Sequence, residues 1–309
     1  MSVLYTFPGQ GSQRVGMLHT LPRHSEVERT LCETFEALGT DPLLLDTAEA
    51  FTTSAAVQTC LLAAGVSMAR TLAAQGARTH MVAGLSIGAY PAAVIAGALD
   101  YADAVRLVAR RGQLMDESYP SGYGMAAISG LAQEELEPLI AQIHTLATPV
   151  YLANINAPTQ FAISGSNDAL SATMELASMS GATQVHRLAV SVPSHCELYD
   201  QAAAILLADI SKVTLRAPRV IYLSSNSARM LADPASIAQD LASNMKNRVN
   251  WLDTARLAWE RGARLAVEMP SGSILSNLSS PVFASGQVLC CDNNKLETLL
   301  TLIEREPYP

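Results

Sequence analysis

The sequence predicts an α/β fold with a mostly parallel sheet and one inserted α+β subdomain. Three observations predict it. Short apolar runs alternate with helical patterns, 49% of the 309 residues are hydrophobic and 16% charged, and the order of elements changes in the middle of the chain. Alternating strands and helices favour a parallel sheet covered on both faces. The length suffices for one large core, or for a main domain with a smaller one attached.

The first part of the chain predicts two strands, each followed by a turn-rich segment and helices. Residues 2–7 form a short apolar run before the loop Pro8-Gly9-Gln10-Gly11-Ser12-Gln13, and residues 80–85 form the next run. Apolar residues at three- and four-residue spacing predict helices. The predicted helices are residues 55–75, 87–99 and 103–118.

The middle of the chain predicts a ferredoxin-like subdomain over residues 122–189, because its patterns follow the order β-α-β-β-α-β. Residues 1–121 and 190–309 are predicted to form the main, catalytic core. The predicted insert elements are strand 125–129, helix 133–145, strands 151–154 and 160–164, helix 167–179 and strand 183–189. The core elements predicted after the insert are strand 220–224, helices 236–247 and 252–261, strand 265–268 and helix 295–305.

Composition excludes several classes of protein. Five cysteines without regular spacing indicate a reducing compartment, hence a cytoplasmic protein without disulfides. The sequence has neither a C-x-x-C pair nor an H-E-x-x-H motif, so no metal site is predicted. A net charge of −8 with three lysines argues against nucleic acid as a partner. No apolar run reaches the roughly 18 uncharged residues of a membrane span, and residues 1–10 lack the features of a secretory signal.

The strongest chemical motif is Gly84-Leu85-Ser86-Ile87-Gly88, which lies between a predicted strand and a predicted helix. In that setting G-x-S-x-G is typical of a nucleophile elbow, a sharp turn that exposes the serine hydroxyl. The following helix directs its free N–H groups towards negative charge that develops there. A serine that caps the helix of an ordinary α/β turn is the alternative.

Two further residues fit a serine nucleophile. His195 lies in Val192-Pro193-Ser194-His195, where the chain returns from the insert to the core, and it can act as the base. Arg111 lies 25 residues after Ser86, and an arginine fork can hold a carboxylate by two hydrogen bonds. A structural histidine and a solvated arginine are the alternatives.

Two classes of enzyme use such a serine. In an α/β-hydrolase an acid and then a histidine follow the elbow, with the histidine after the last strands. The final 114 residues contain no histidine, and an HGGG-type oxyanion loop is absent. Acyl transfer is therefore favoured over hydrolysis, and a non-catalytic acyl-binding module is disfavoured because Ser86, His195 and Arg111 are all present.

The sequence resembles the malonyl-CoA:acyl-carrier-protein transacylase family nearly from end to end. The loop Phe7-Pro8-Gly9-Gln10-Gly11-Ser12-Gln13, the elbow, Arg111-Gly112 and Val192-Pro193-Ser194-His195 match family motifs in the family's order. Asn154-Ile155-Asn156-Ala157-Pro158 resembles the N-x-N-x-P segment, and Asn250-Trp251 falls where the family has Gln-Trp. The resemblance implies an α/β-hydrolase-like core with a ferredoxin-like insert.

The resemblance also implies a ping-pong mechanism and its site residues. Ser86 would be the nucleophile and His195 the general base, with Arg111 binding the malonyl carboxylate. The implied supporting groups are the backbone N–H groups of Gln10 and Ile87 as oxyanion hole, Asn250 orienting His195, and Asn156 lining the site. The implied partners are malonyl-CoA, as a coenzyme A thioester substrate, and the phosphopantetheine-type thiol of an acyl carrier protein, with no bound cofactor.

The elbow departs from the common family pattern, because Leu85 and Ala89 stand where the family usually has His and Glu. Residues 84–93 are instead similar to the epsilon (transacylase) subunit of bacterial malonate decarboxylase. That similarity predicts priming of a decarboxylase carrier and contact with the other decarboxylase subunits. The alternatives are the malonyl-CoA:acyl-carrier-protein transacylases of fatty-acid and of polyketide synthesis.

Overall fold

The structure is a computed structural model that describes residues 2–305. The strands are β1 Ser2–Phe7, β2 Met81–Gly84, β3 Tyr123–Ser129, β4 Val150–Ala157, β5 Gln160–Ser166, β6 Gln184–Arg187, β7 Ile221–Ser224, β8 Arg229–Leu231, β9 Val249–Asn250, β10 Ala263–Glu268 and β11 Gln287–Cys290. The α-helices are α1 Ser25–Leu38, α2 Pro42–Leu45, α3 Ser54–Ala74, α4 Ala89–Ile95, α5 Tyr101–Ser118, α6 Gln133–Ile143, α7 Asn167–Met179, α8 Asp200–Ile210, α9 Pro234–Ser243, α10 Trp251–Glu260, α11 Ile274–Ser279 and α12 Leu296–Glu304. Short 3-10 helices lie at Ala50–Thr52, Ser86–Gly88, Glu197–Tyr199 and Cys291–Asn293.

Within the described residues, six strands form the main sheet in the order β11-β10-β1-β2-β7-β8. All neighbours are parallel except β7 and β8. The two central strands, β1 and β2, are almost entirely buried, as expected for a parallel sheet with both faces covered. The prediction of a mostly parallel α/β sheet is confirmed.

Helix α3 is the central helix of the larger core. It packs with β1, α4 and α5 into one cluster of buried side chains on one face of the main sheet. By length and composition alone α3 could cross a membrane, but 89% of its most apolar window is buried inside the protein. A core helix that is apolar all round shows the same composition.

The second sheet has the order β6-β3-β5-β4-β9, and its first four strands come from the predicted insert. These strands and the helices α6 and α7 follow the predicted order β-α-β-β-α-β. The fifth strand, β9, comes from the later part of the chain and pairs in parallel with β4. The insert boundaries at 122 and 189 stay a prediction, and residues 1 and 306–309 of the predicted core lie outside the described residues.

Candidate active site

Ser86 lies at the carboxyl edge of the main sheet, in a backbone conformation that is rare for serine. Strand β2 ends at Gly84, and Ser86 has a φ of 55°, in the left-handed region. Such strain occurs where the surrounding structure fixes it, often at functional sites. A Cβ on Gly88 would lie 2.1 Å from the carbonyl oxygen of Phe7, and one on Gly84 would lie 1.9 Å from the carbonyl carbon of Gly88. Only glycine therefore fits at these two elbow positions.

The loop after β1 lies against this elbow, because Phe7 pairs with Gly84 at the ends of two parallel strands. A Cβ added to Gly9 would lie 3.5 Å from the Cβ of Ser86. The next residue, Gln10, carries one backbone N–H of the predicted oxyanion hole. The other belongs to Ile87, in the first helical turn, where N–H groups have no partner within the helix. The oxyanion assignment itself stays a prediction.

Arg111 is a buried cation beside the Ser86 hydroxyl. Its side chain is 1% exposed, and Nη2 donates to Ser86 Oγ at 3.2 Å and to Asn244 Oδ1 at 2.9 Å. Nη1 donates to Gln58 Oε1 at 2.7 Å. Within residues 2–305 no carboxylate pairs with Arg111, and its Nε has no hydrogen-bond partner. Burial lowers the Arg111 pKa, because desolvation disfavours the charged form.

Helix packing places Arg111 at this position. A Cβ on the neighbouring Gly112 would lie 2.4 Å from the Cα of Ala55, so α5 and α3 approach closely here. On α3, Gln58 bridges two predicted site residues: Oε1 accepts from Arg111, and Nε2 donates to Gln10 Oε1 at 3.3 Å. The Gln10 side chain is thereby joined to the arginine through a residue that the motifs did not indicate.

His195 is buried with its ring held by two carbonyl groups. It has a φ of 67°, and its Nδ1 lies 2.8 Å from the Asn244 carbonyl oxygen and 3.0 Å from that of Asn247. Because both neighbours are acceptors, Nδ1 carries the hydrogen, and Nε2 of the neutral ring keeps its lone pair. Burial, and then the charge of Arg111, lower the His195 pKa to about 4. At neutral pH the imidazole is therefore uncharged and able to accept a proton.

Asn244, just after α9, joins all three predicted residues. Its Oδ1 accepts from Arg111, its Nδ2 donates to the Ser86 carbonyl at 3.2 Å, and its own carbonyl accepts from His195. Motif comparison did not indicate it. Within the described chain no hydrogen bond joins Ser86 directly to His195, so Asn244 is the structural link between them. Apo catalytic contacts are often longer than those in the substrate complex.

The structure corrects the prediction that Asn250 orients His195. The Asn250 side chain donates to the Asn226 carbonyl, and its own carbonyl accepts from Thr254 Oγ1 at 2.8 Å. Asn250 lies in β9, opposite Ile155 of β4 and directly before α10. The carbonyls that hold His195 come from Asn244 and Asn247 instead.

Asn156 lies near the end of β4, and its side-chain oxygen is buried without a hydrogen-bond partner in the described part of the chain. No hydrogen bond connects Asn156 to Ser86, Arg111 or His195 within that part. Its place in the lining of the active site stays a prediction.

The arrangement supports covalent acyl transfer. A strained serine, an uncharged histidine with a free Nε2, and a buried guanidinium can form an ester with an acyl group that carries a negative charge. Among residues 2–305, no three His, Cys, Asp or Glu side chains are grouped as ligands for a metal ion.

The fold and site define an acyltransferase, and the chain matches the acyl transferase domain family over residues 4–306. It is 35% identical over 286 residues to a malonyl CoA-acyl carrier protein transacylase of Escherichia coli strain K12, covering 90% of this chain and 92% of that one. The corresponding transacylase of Bacillus subtilis strain 168 is 32% identical over 285 residues, covering 91% and 90%. The chain therefore belongs to the malonyl-CoA:acyl-carrier-protein transacylase family.

Solved structures show the same relationship. The malonyl CoA-acyl carrier protein transacylase of Coxiella burnetii superposes with a TM-score of 0.93 at 32% identity, over 100% of this chain and 98% of that one. A malonyl-transacylase in complex with a holo type II polyketide-synthase acyl-carrier protein superposes with a TM-score of 0.91 at 30% identity, over 99% and 100%.

Proposed function

We propose that this enzyme moves a malonyl group from malonyl-CoA to the thiol of an acyl carrier protein through an ester on Ser86. One observation carries the proposal: Arg111 is buried 3.2 Å from Ser86 Oγ, and within residues 2–305 no carboxylate pairs with it. A buried charge is costly unless it is paired. The malonyl carboxylate supplies the missing partner, and an uncharged acyl group does not.

The first half-reaction forms the ester. Nε2 of His195 takes the Ser86 hydroxyl proton as Oγ bonds to the thioester carbonyl carbon. The resulting oxyanion lies against the backbone N–H groups of Gln10 and Ile87, where fixed donors stabilise developing charge. The carbon–sulfur bond then breaks, and the sulfur leaves as the thiol of coenzyme A with the proton from His195.

The second half-reaction runs the same steps in reverse with a different thiol. His195 takes the proton of the carrier thiol, whose sulfur attacks the ester carbonyl. The Ser86 oxygen leaves and recovers its proton from His195. Because one site serves both thioesters, coenzyme A must depart before the carrier thiol enters, which gives ping-pong kinetics.

Two carriers are consistent with this chemistry. The relatives named above are malonyl CoA-acyl carrier protein transacylases, and one solved relative is in complex with a polyketide-synthase carrier. These names support an acyl carrier protein of fatty-acid or polyketide synthesis. Leu85 and Ala89 are the observation that favours the second candidate, priming of the malonate decarboxylase carrier.

A transfer assay with purified carriers tests both malonyl transfer itself and the choice of carrier. We expect malonyl transfer to an acyl carrier protein of fatty-acid or polyketide synthesis at a higher kcat/KM than to the malonate decarboxylase carrier. The opposite order would make the decarboxylase role correct while leaving malonyl transfer intact. Transfer to neither carrier, with a folded enzyme and malonyl-CoA present, would refute the proposed function.

A further inference from the structure

A buried carboxylate on α9 takes no direct part in the proposed steps. Asp240 is 8% exposed, and its side chain accepts three hydrogen bonds from neutral groups. Ser224 Oγ donates to Oδ1 at 2.5 Å, and Asn226 Nδ2 donates to the same oxygen at 3.2 Å. Tyr222 Oη donates to Oδ2 at 2.9 Å. Burial raises the pKa of Asp240, because desolvation disfavours the charged form.

The three donors fasten α9 to the strand beside the one that leads to the nucleophile. Tyr222 and Ser224 lie in β7, and Asn226 follows that strand. Strand β7 pairs in parallel with β2, with Tyr222 opposite Val82. Because β2 runs directly into the Ser86 turn, these hydrogen bonds tie the position of α9 to that of Ser86.

Asn244 lies one helical turn after Asp240, at the end of α9. Its backbone N–H donates to the Asp240 carbonyl at 3.0 Å, so both residues belong to one rigid turn. Tyr90 of α4 donates from its hydroxyl to the Leu241 carbonyl in the same turn, at 3.0 Å. Asn244 Nδ2 then reaches the Ser86 carbonyl at 3.2 Å, which closes a path from β2 through β7 and α9 back to the nucleophile.

Apolar packing alone would define the position of α9 less closely. Ile237 and Leu241 bury their side chains in the larger core, but apolar contacts are non-directional and permit small shifts of a helix. A carboxylate with three donors restricts both the rotation and the height of α9. A displacement of about 1 Å is already large for groups that act in catalysis.

We propose that Asp240 is a positioning residue for malonyl transfer, acting through the Asn244 side chain on Arg111 and Ser86. This role rests on the proposed function, since the Asn244 contacts matter for transfer only if Arg111 and Ser86 act in it. Loosening the carboxylate would let the Asn244 side chain leave its two partners, and the guanidinium would lose part of its support.

A double-mutant cycle tests this role. Asp240→Asn keeps the shape of the side chain but removes its charge and replaces one acceptor by a donor. We expect kcat/KM for malonyl-CoA to fall about tenfold when Asn244 is present, the size of one hydrogen bond to a charged group. In the Asn244→Ala background, Asp240→Asn should lower kcat/KM by less than about twofold, because the side chain that it positions is already absent.

Two further variants separate positioning from stability. Ile237→Val leaves a small cavity on the same helix without touching the hydrogen bonds of Asp240, and we expect nearly wild-type kinetics. Tyr222→Phe removes one donor, and it should lower kcat/KM severalfold only where the Asn244 side chain is present. It is also the second test if Asp240→Asn fails to fold.

Three results would each overturn the role of Asp240 while leaving malonyl transfer intact. They are wild-type kinetics in folded Asp240→Asn and Tyr222→Phe, the same loss with and without the Asn244 side chain, and an equal loss in Ile237→Val. A wild-type enzyme that transfers no malonyl would refute the proposed function, and this role with it.

Discussion

The guanidinium of Arg111 has only neutral partners, the side chains of Gln58, Ser86 and Asn244. If it pairs with the malonyl carboxylate, Arg111→Ala should lower kcat/KM for malonyl-CoA by at least about a hundredfold, the effect of removing one partner of a buried ion pair. Turnover of acetyl-CoA should change little. Arg111→Lys should restore part of the malonyl preference, because lysine offers a point charge without a fork.

The ratio of kcat/KM for the two thioesters is the measurement for Arg111. Arg110→Ala is the matched control, since Arg110 is the neighbouring arginine on α5 and its side chain is 38% exposed. Equal loss of both substrates in Arg111→Ala would show that the residue maintains the site rather than selecting the acyl group.

The position of His195 predicts how kcat/KM depends on pH. Burial and the Arg111 charge both disfavour the imidazolium, so His195 protonates, and loses its basicity, at a pKa of about 4 rather than 6.5. We expect kcat/KM for acetyl-CoA to fall at acid pH, and the midpoint of this acid limb to lie well below pH 6.5. Arg111→Gln should move that limb upwards by removing the nearby charge. A limb at or above pH 6.5 in the folded wild-type enzyme would contradict the assignment.

Asn244 is a positioning residue whose side chain and backbone act on different groups. Asn244→Ala removes the hydrogen bonds to Arg111 and to the Ser86 carbonyl but keeps the backbone carbonyl that holds His195. We expect kcat/KM for malonyl-CoA to fall about ten- to hundredfold, as for hydrogen bonds to charged groups. The midpoint of the acid limb of the kcat/KM pH profile should not change, because His195 keeps its backbone partners.

Asn247→Ala is the matched control for Asn244. The Asn247 backbone carbonyl also accepts from His195, but its side chain donates to Ser243 Oγ instead. We expect nearly wild-type kinetics for this variant. Equal kinetic losses in the two asparagine variants would show that local folding of the segment, rather than the Asn244 side chain, explains the effect.

The contact between α3 and α5 fixes the distance between Gln58 and Arg111. Gly112→Ala would force the two helices apart at Ala55, where the added Cβ has no room. We expect the free energy of unfolding to drop by about 1–3 kcal/mol, typical of overpacking. The malonyl preference should fall with it. Denaturant unfolding measures the first effect, and the exposed neighbour Gln113→Ala should change stability by no more than about 0.5 kcal/mol. Unchanged stability in Gly112→Ala would contradict this packing account.

Several elements could be predicted closely because periodicity and turn residues agree. Strand β1 and helix α7 have the predicted bounds. The helix predicted over residues 87–99 is shorter, because Ser86–Gly88 is a 3-10 turn and α4 ends at Ile95. Gly97 there has a φ of 74°, which the continuing apolar pattern concealed. The sequence pattern does not predict helix α8, Asp200–Ile210.

The site could be predicted only where a motif marks it. Ser86, Arg111 and His195 lie in short strings of characteristic residues. In the structure, all three are hydrogen-bonded to Asn244. Gln58 and Asn244 contact Arg111 across 53 and 133 residues of chain, and no local pattern marks either. The motif indicates Asn250, but the groups that hold His195 are backbone carbonyls, which any residue type can supply.

The whole enzyme acts through one covalent intermediate, so its direct detection is the most decisive measurement. Folded enzyme incubated with malonyl-CoA alone, without a carrier, should gain one malonyl mass on the peptide that contains Ser86. The adduct should disappear when a holo acyl carrier protein is added, with malonyl recovered on the carrier. Ser86→Ala should acquire no malonyl group. An unmodified wild-type enzyme that still transfers malonyl, or a Ser86→Ala variant labelled at normal stoichiometry, would contradict the account.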